Sequence, residues 1–185
     1  MIDKYWSEDS PSDKKESLPV EVVSNHIYFY DNINNESILK LNKAIMETTN
    51  KIISELVDEK VTFGIKDVPL YLHINSGGGL IFEGLAAMDT ILNNESPIIT
   101  IVEGRAASAA TFLNIVGKER WIRKHSYMLI HQLSATYWGK FHELKDRMKN
   151  AEKLMVLIKN IYKEYTKVPM EKIDEILDHD LYFDA

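Results

Sequence analysis

Ile98-Ile-Thr-Ile-Val-Glu-Gly-Arg-Ala-Ala-Ser-Ala-Ala-Thr-Phe-Leu113 decides how this chain is read. An apolar, β-branched run over 97–103 predicts a strand, and the small residues over 106–116 predict a helix. Ser108 then stands where the strand stops and the helix begins. Backbone N–H groups at a helix start lack an intrahelical partner and favour negative charge. A serine nucleophile needs that setting, because its attack creates an oxyanion. Small residues at such a turn also serve close packing, so the stretch by itself leaves both uses open.

On either side of this stretch, strands and helices alternate. Ile27–Tyr30 and Val68–Asn75 read as strands, and Arg120–Ile122 and Tyr127–Ile130 as two short ones. Ser37 is placed to cap a helix with apolar positions Ile38, Leu41, Ile45, Ile52, Ile53 and Leu56. Leu80–Leu92 predicts a helix packed through Gly84, Ala86 and Ala87. Gly139–Lys167 is a long amphipathic segment with Leu144, Met148, Ala151, Met155, Ile158, Tyr162 and Tyr165 at three- and four-residue steps. Pro169 opens a last helix ending near Leu177. This alternation indicates an α/β fold with largely parallel strands. Residues 1–19 read as a flexible arm, and 20–185 as one domain.

Bulk properties narrow the function. The 185 residues carry a net charge of -6, which argues against nucleic acid as the main partner. With no cysteine there is no disulfide, thiol nucleophile or cysteine–zinc site. The first residues lack the apolar stretch of a signal peptide, and no run approaches the roughly 20 apolar residues of a membrane span. A cytoplasmic protein without membrane contact is expected, with virus-encoded and organellar settings as variants. His179 adjoins Asp178 and Asp180 but has no metal-ligand spacing to another histidine. No metal and no cofactor are expected.

Two further places offer chemistry. Gly77-Gly-Gly79, between a strand and a helix, leaves N–H groups unshielded. Such a loop can cradle phosphate, hold an oxyanion or bind substrate backbone. It matches neither the Walker A pattern nor the dinucleotide-binding register. His131 follows the strand ending at Ile130, where a side chain projects from a rigid element towards a crevice.

Taken together, Leu72-His-Ile-Asn-Ser-Gly-Gly-Gly79, Gly104-Arg-Ala-Ala-Ser-Ala-Ala110, Met128-Leu-Ile-His-Gln132 and Asp178-His-Asp-Leu-Tyr-Phe-Asp-Ala185 resemble the proteolytic subunit of the Clp protease (ClpP), a serine peptidase. The resemblance covers residues 26–185 and is strongest over 72–132. It implies a ClpP/crotonase-like spiral of βαβ units with a protruding helical handle near 139–167. The family's nucleophile falls on Ser108, its base on His131 and its acid on Asp180, with Asp178 and Asp184 as competitors. Its oxyanion donors fall on the N–H groups of Gly79 and Ala109, and substrate binding on Gly78 and Leu80. The resemblance further implies a double ring of seven-membered rings enclosing the sites, an AAA+ ATPase unfoldase partner, and unfolded proteins or short peptides as substrates. Met148, Met155, Tyr162 and Tyr165 are expected to be exposed on the handle for ring docking.

Departures from the family pattern are visible. Gly77 stands for a proline, Ala109 for a methionine and Leu133 for a proline. The stretch from Glu47 to Val68 is longer than the resemblance leads one to expect. The sequence given ends at Ala185, where the family continues through a final strand. Three other readings stay open: a catalytically silent barrel subunit, a crotonase-type acyl-CoA enzyme, and a Ser–Lys dyad using Lys124.

Overall fold

The computed structural model describes residues 20–58 and 68–185, so the arm expected over 1–19 lies outside the described residues. The chain runs β1 (Glu21–Val23), β2 (His26–Phe29), α1 (Asn35–Asp58), β3 (Leu70–Ser76), α2 (Ile81–Leu92), β4 (Ile98–Ala107), α3 (Ala110–Ile115), β5 (Glu119–Ile122), β6 (Tyr127–Ile130), α4 (Phe141–Tyr165), α5 (Met170–Leu177) and β7 (Leu181–Phe183). The strands form one sheet in the order β1-β2-β3-β4-β6-β7, with β5 also paired to β4. Pairing is parallel from β2 through β4 to β5 and β6, and antiparallel in the flanking pairs β1/β2 and β6/β7. The α/β expectation therefore holds.

β3 and the first half of β4 are buried on both faces, as expected of parallel strands covered by helices. Over them, α1 lays Ile38, Leu41, Ala44, Ile45 and Ile52, all in the core. The expected Ser37 cap is corrected. Asn34 is the cap residue: its Oδ1 accepts the Ser37 N–H at 2.9 Å, and Ser37 Oγ accepts the Asn34 N–H at 3.0 Å. Ser37, the third residue of the helix, thus fills the partner role of a reciprocal capping box.

A second correction concerns β4, which runs to Ala107 rather than stopping at 103. Between the pairs Ile74/Val102 and Ser76/Ala106, β3 advances two residues while β4 advances four. Gly104, at φ 81, absorbs the excess as a bulge. Below the bulge β4 pairs with β5, and above it with β6. The glycine that reads as a strand end is therefore a pivot within one strand. It carries β4 on to the β6 edge, where the site forms.

α4 divides in two. Its final third is anchored by Ile158, Ile161 and Tyr162, all buried, while residues 141–150 are exposed throughout. Of the four side chains expected on the exposed face, Met148 is exposed and Met155 and Tyr165 are half-buried. Tyr162 is a correction: it is 3% exposed and packs on Phe112, because the stripe that carries it turns inward at the docked end.

Candidate active site

Ser108 lies in the short turn between β4 and α3, at φ 54. A non-glycine residue in the left-handed region costs about 1–2 kcal/mol and persists only where its surroundings over-determine it. Here they do. The Ser108 N–H donates to the Leu129 carbonyl at 2.8 Å, extending the β4–β6 ladder by one bond. The Ser108 carbonyl accepts from the Thr111 N–H at 3.0 Å and from Thr111 Oγ1 at 2.6 Å. A sharp strand–turn–helix bend of this kind lifts a hydroxyl clear of the sheet edge.

The glycine loop is pressed against that bend. Gly78 is at φ 90, and a Cβ there would stand 2.7 Å from Ser108 Cβ and 2.5 Å from the Ala107 carbonyl oxygen. Only glycine fits. The Gly78 carbonyl accepts from the Ile33 N–H at 2.8 Å, and the Leu80 N–H donates to the Ile33 carbonyl at 2.9 Å. This one-residue parallel bridge between Ile33 and Gly79 uses the groups on either side of the Gly79 amide and leaves that amide free. Among the described residues, neither the Gly79 N–H nor the Ala109 N–H donates to a backbone acceptor.

Gly78 and Leu80 offer substrate little backbone. The Gly78 N–H donates to Ser76 Oγ at 3.2 Å, and the Leu80 carbonyl accepts from Gly84. Leu80 contributes instead a half-exposed side chain to the cavity rim.

His131 is the first residue after β6. The Gln132 N–H donates to the Leu177 carbonyl at 2.9 Å, which ties the segment to α5. The antiparallel ladder pairs Met128 with Phe183, Leu129 with Tyr182 and Ile130 with Leu181. One more step sets His131 opposite Asp180. His131 Nδ1 and Asp180 Oδ1 are 4.0 Å apart, an ion-pair contact longer than a hydrogen bond. By the same register Asp184 falls opposite Tyr127, at the far end of the ladder, and Asp178 caps α5. Neither is placed by the ladder beside His131.

Gly79, Ser108, Ala109 and His131 line one cavity of about 600 Å³, with Leu80 at its rim and Phe112, Ile158 and Tyr162 on its apolar wall. Its parts can hold an extended acyl group, supply a hydroxyl and an imidazole to it, and turn two amides towards a developing oxyanion. Ile33 and Thr111 escaped the sequence reading. Ile33 acts through its backbone, which no side-chain pattern reports. Thr111 was readable in principle, as a hydroxyl three residues after the turn serine that can bond back to its carbonyl.

The chain is similar to known proteins over most of its length. A family model described as Clp protease matches residues 22–185. A Populus trichocarpa protein named ATP-dependent Clp protease proteolytic subunit is 31% identical over 171 residues, covering 90% of this chain and 86% of that relative. A Chaetosphaeridium globosum protein of the same name is 32% identical over 172 residues, covering 91% of this chain and 85% of the relative. The matched span takes in every element from β2 to β7, including all the residues that line the cavity. The chain belongs to the Clp protease family.

Proposed function

We propose that this serine endopeptidase of the ClpP type cleaves peptide bonds through Ser108, His131 and Asp180. The observation that carries the reading is the Ser108 bend: a strained serine beside two unengaged amides, sharing one cavity wall with His131. In the proposed reaction, His131 Nε2 takes the Ser108 proton as Oγ attacks the peptide carbonyl. Asp180 orients the ring through Nδ1 and stabilises the imidazolium. The N–H groups of Gly79 and Ala109 receive the oxyanion, where loss of one donor costs roughly 3 kcal/mol. His131 then protonates the leaving amine. Water, activated by the same ring, hydrolyses the acyl-Ser108 ester and restores the enzyme.

The assembly belongs to the same proposal. A double seven-membered ring would cover the exposed first half of α4 and enclose the cavities, limiting substrates to short peptides and unfolded chains. An AAA+ ATPase unfoldase would feed it, in keeping with the words ATP-dependent in the names of both relatives.

The test is labelling of the assembled protein by a fluorophosphonate, with peptide hydrolysis measured alongside. An adduct on Ser108, and loss of turnover in Ser108→Ala with native mass unchanged, supports the reading; unchanged turnover in that variant ends it. The 4.0 Å gap between His131 and Asp180 favours one second reading, a catalytically silent ring subunit. An assembled protein that takes up no label would establish it.

A further inference from the structure

We propose that Thr111 and Tyr162 are positioning residues whose hydroxyls form a directed relay, from the docked end of α4 to the Ser108–Ala109 peptide, that aims the Ala109 N–H into the cavity. The proposal rests on the reading of that amide as an oxyanion donor.

The chain of bonds is short, and both hydroxyl-bearing residues are buried. Thr111 is 0% exposed and Tyr162 3% exposed. Thr111 Oγ1 lies 2.6 Å from the Ser108 carbonyl oxygen and 2.6 Å from Tyr162 Oη. A carbonyl only accepts, so Thr111 must spend its single hydroxyl proton on Ser108. Tyr162 must then donate to Thr111. Only one direction satisfies every group: Tyr162 O–H to Thr111 Oγ1–H to the Ser108 C=O. Burial raises the Tyr162 phenol to about 12, so it stays a donor at neutral pH. Successive bonds in a dry setting polarise one another.

The carbonyl held by this relay matters because of the peptide plane. The Ser108 C=O and the Ala109 N–H belong to one rigid amide and point in opposite directions. Pinning the oxygen on the α3 side therefore fixes the hydrogen on the cavity side. The Thr111 N–H adds a second bond to the same oxygen at 3.0 Å. Without the hydroxyl pair, one backbone bond, from the Thr111 N–H, would have to hold the Ser108 carbonyl, and rotation of that plane would turn the donor away from the substrate carbonyl. The relay also joins the nucleophile bend to α4, through a Thr111–Tyr162 bond that spans 51 residues of chain.

The test compares Thr111→Val, Thr111→Ser and Tyr162→Phe in the full-length chain, with active sites counted by fluorophosphonate labelling. Thr111→Val should lower kcat per labelled site about 100-fold with KM little changed, as for loss of an oxyanion donor. Tyr162→Phe, which leaves the Thr111 bond in place, should lower it roughly five- to tenfold. Thr111→Ser should recover most of the activity. Unchanged kcat per site in both Thr111→Val and Tyr162→Phe would overturn the relay. So would losses that only track the fraction of folded protein. Hydrogen exchange of the segment 106–113 gives a readout independent of catalysis: faster in Thr111→Val and native-like in Thr111→Ser. Equal exchange in all three proteins would refute the relay whatever Ser108 does, whereas an active Ser108→Ala with altered exchange in Thr111→Val would refute only the nucleophile.

Discussion

His131 and Asp180 stand one register step beyond Ile130 and Leu181, the last pair of the β6–β7 ladder. Their meeting is a consequence of strand pairing rather than of any local motif. Asp180 is largely solvent-exposed and contacts His131 at 4.0 Å, longer than a hydrogen bond. On the proposed mechanism, Asp180→Asn keeps the shape but withdraws the charge that would orient and stabilise the imidazolium. It should lower kcat by up to about 10⁴ with native mass unchanged. Asp178→Asn and Asp184→Asn, off the ladder position, should turn over normally. Steady-state peptide hydrolysis of the three proteins decides it; a severe loss in Asp178→Asn instead would move the acid two residues.

The glycine loop should tolerate change unequally. At Gly78 a methyl group meets Ser108 Cβ, the Ala107 carbonyl and a left-handed backbone together. Gly78→Ala should cost about 1–3 kcal/mol of stability and push the loop off the serine bend, slowing acylation. At Gly77 the nearest atoms are Arg105 Nη2 at 3.1 Å and Asn32 Oδ1 at 3.3 Å, both ends of movable side chains. Gly77→Ala should be near neutral in both respects. Denaturant midpoints and labelling rates of the two variants provide the check, and equal behaviour would show that the loop is not seated as described.

The parts of the site that were legible in the sequence are those fixed by local chain direction. Ser108 and His131 each sit where a strand ends, and a strand end is written in the run of apolar residues before it. Asp180 was reached only through family resemblance, because its place depends on β7 pairing with β6 across the α4–α5 excursion. Gly104 misled the reading for a related reason. A glycine after an apolar run reads as a stop, yet its positive φ lets β4 bulge and continue against a different neighbour. Tyr162 was assigned to the surface because stripe periodicity fixes which residues share a face, not where along a long helix that face meets the core.

Away from the cavity, β2, β3 and β4 bring together His26, His73, Glu103 and Tyr30, with Arg123 from beyond β5. His26 Nδ1 and His73 Nε2 are 2.8 Å apart, and His73 Nδ1 lies 3.0 Å from Glu103 Oε1, off the in-line direction of a hydrogen bond. Tyr30 donates to the other Glu103 oxygen, and Arg123 donates to Oε1 from Nε at 3.1 Å. Tyr71 stacks on His26, and Tyr28 on His73. Burial and the neighbouring His73 hold His26 below its usual 6.5. Burial would raise Glu103, but the hydrogen bonds from Tyr30 and Arg123 and the adjacent His73 ring outweigh it and hold it below 4.5. Both folded-state values are depressed, so the unfolded chain binds more protons as pH falls and stability rises with pH in each window. Stability should be full above about 6.5, decline below it through His26, and decline again below about 4.5 through Glu103. Urea midpoints at several pH values should show this, with a flatter profile between about pH 7.5 and 5.5 in His26→Gln. A steeper or reversed slope in the variant would contradict the assignment.

The exposed half of α4 allows the proposed ring assembly to be tested without disturbing the fold. Phe141 is 66% exposed and Met148 57% exposed, and neither belongs to the core cluster. Substitutions at such positions usually change the stability of a chain by less than about 0.5 kcal/mol. A charge placed there should therefore leave the subunit folded while opposing burial of the same face against another ring, since an unpaired charge is costly to desolvate. Met148→Glu and Phe141→Glu should keep the wild-type circular dichroism and thermal midpoint yet shift the native mass from two rings to one. Tyr162→Glu serves as the contrast, because its side chain is in the core and its substitution should unfold the subunit. Native mass spectrometry of the three variants separates the outcomes. An unchanged mass for both surface variants would mean that this face of α4 is not where rings meet.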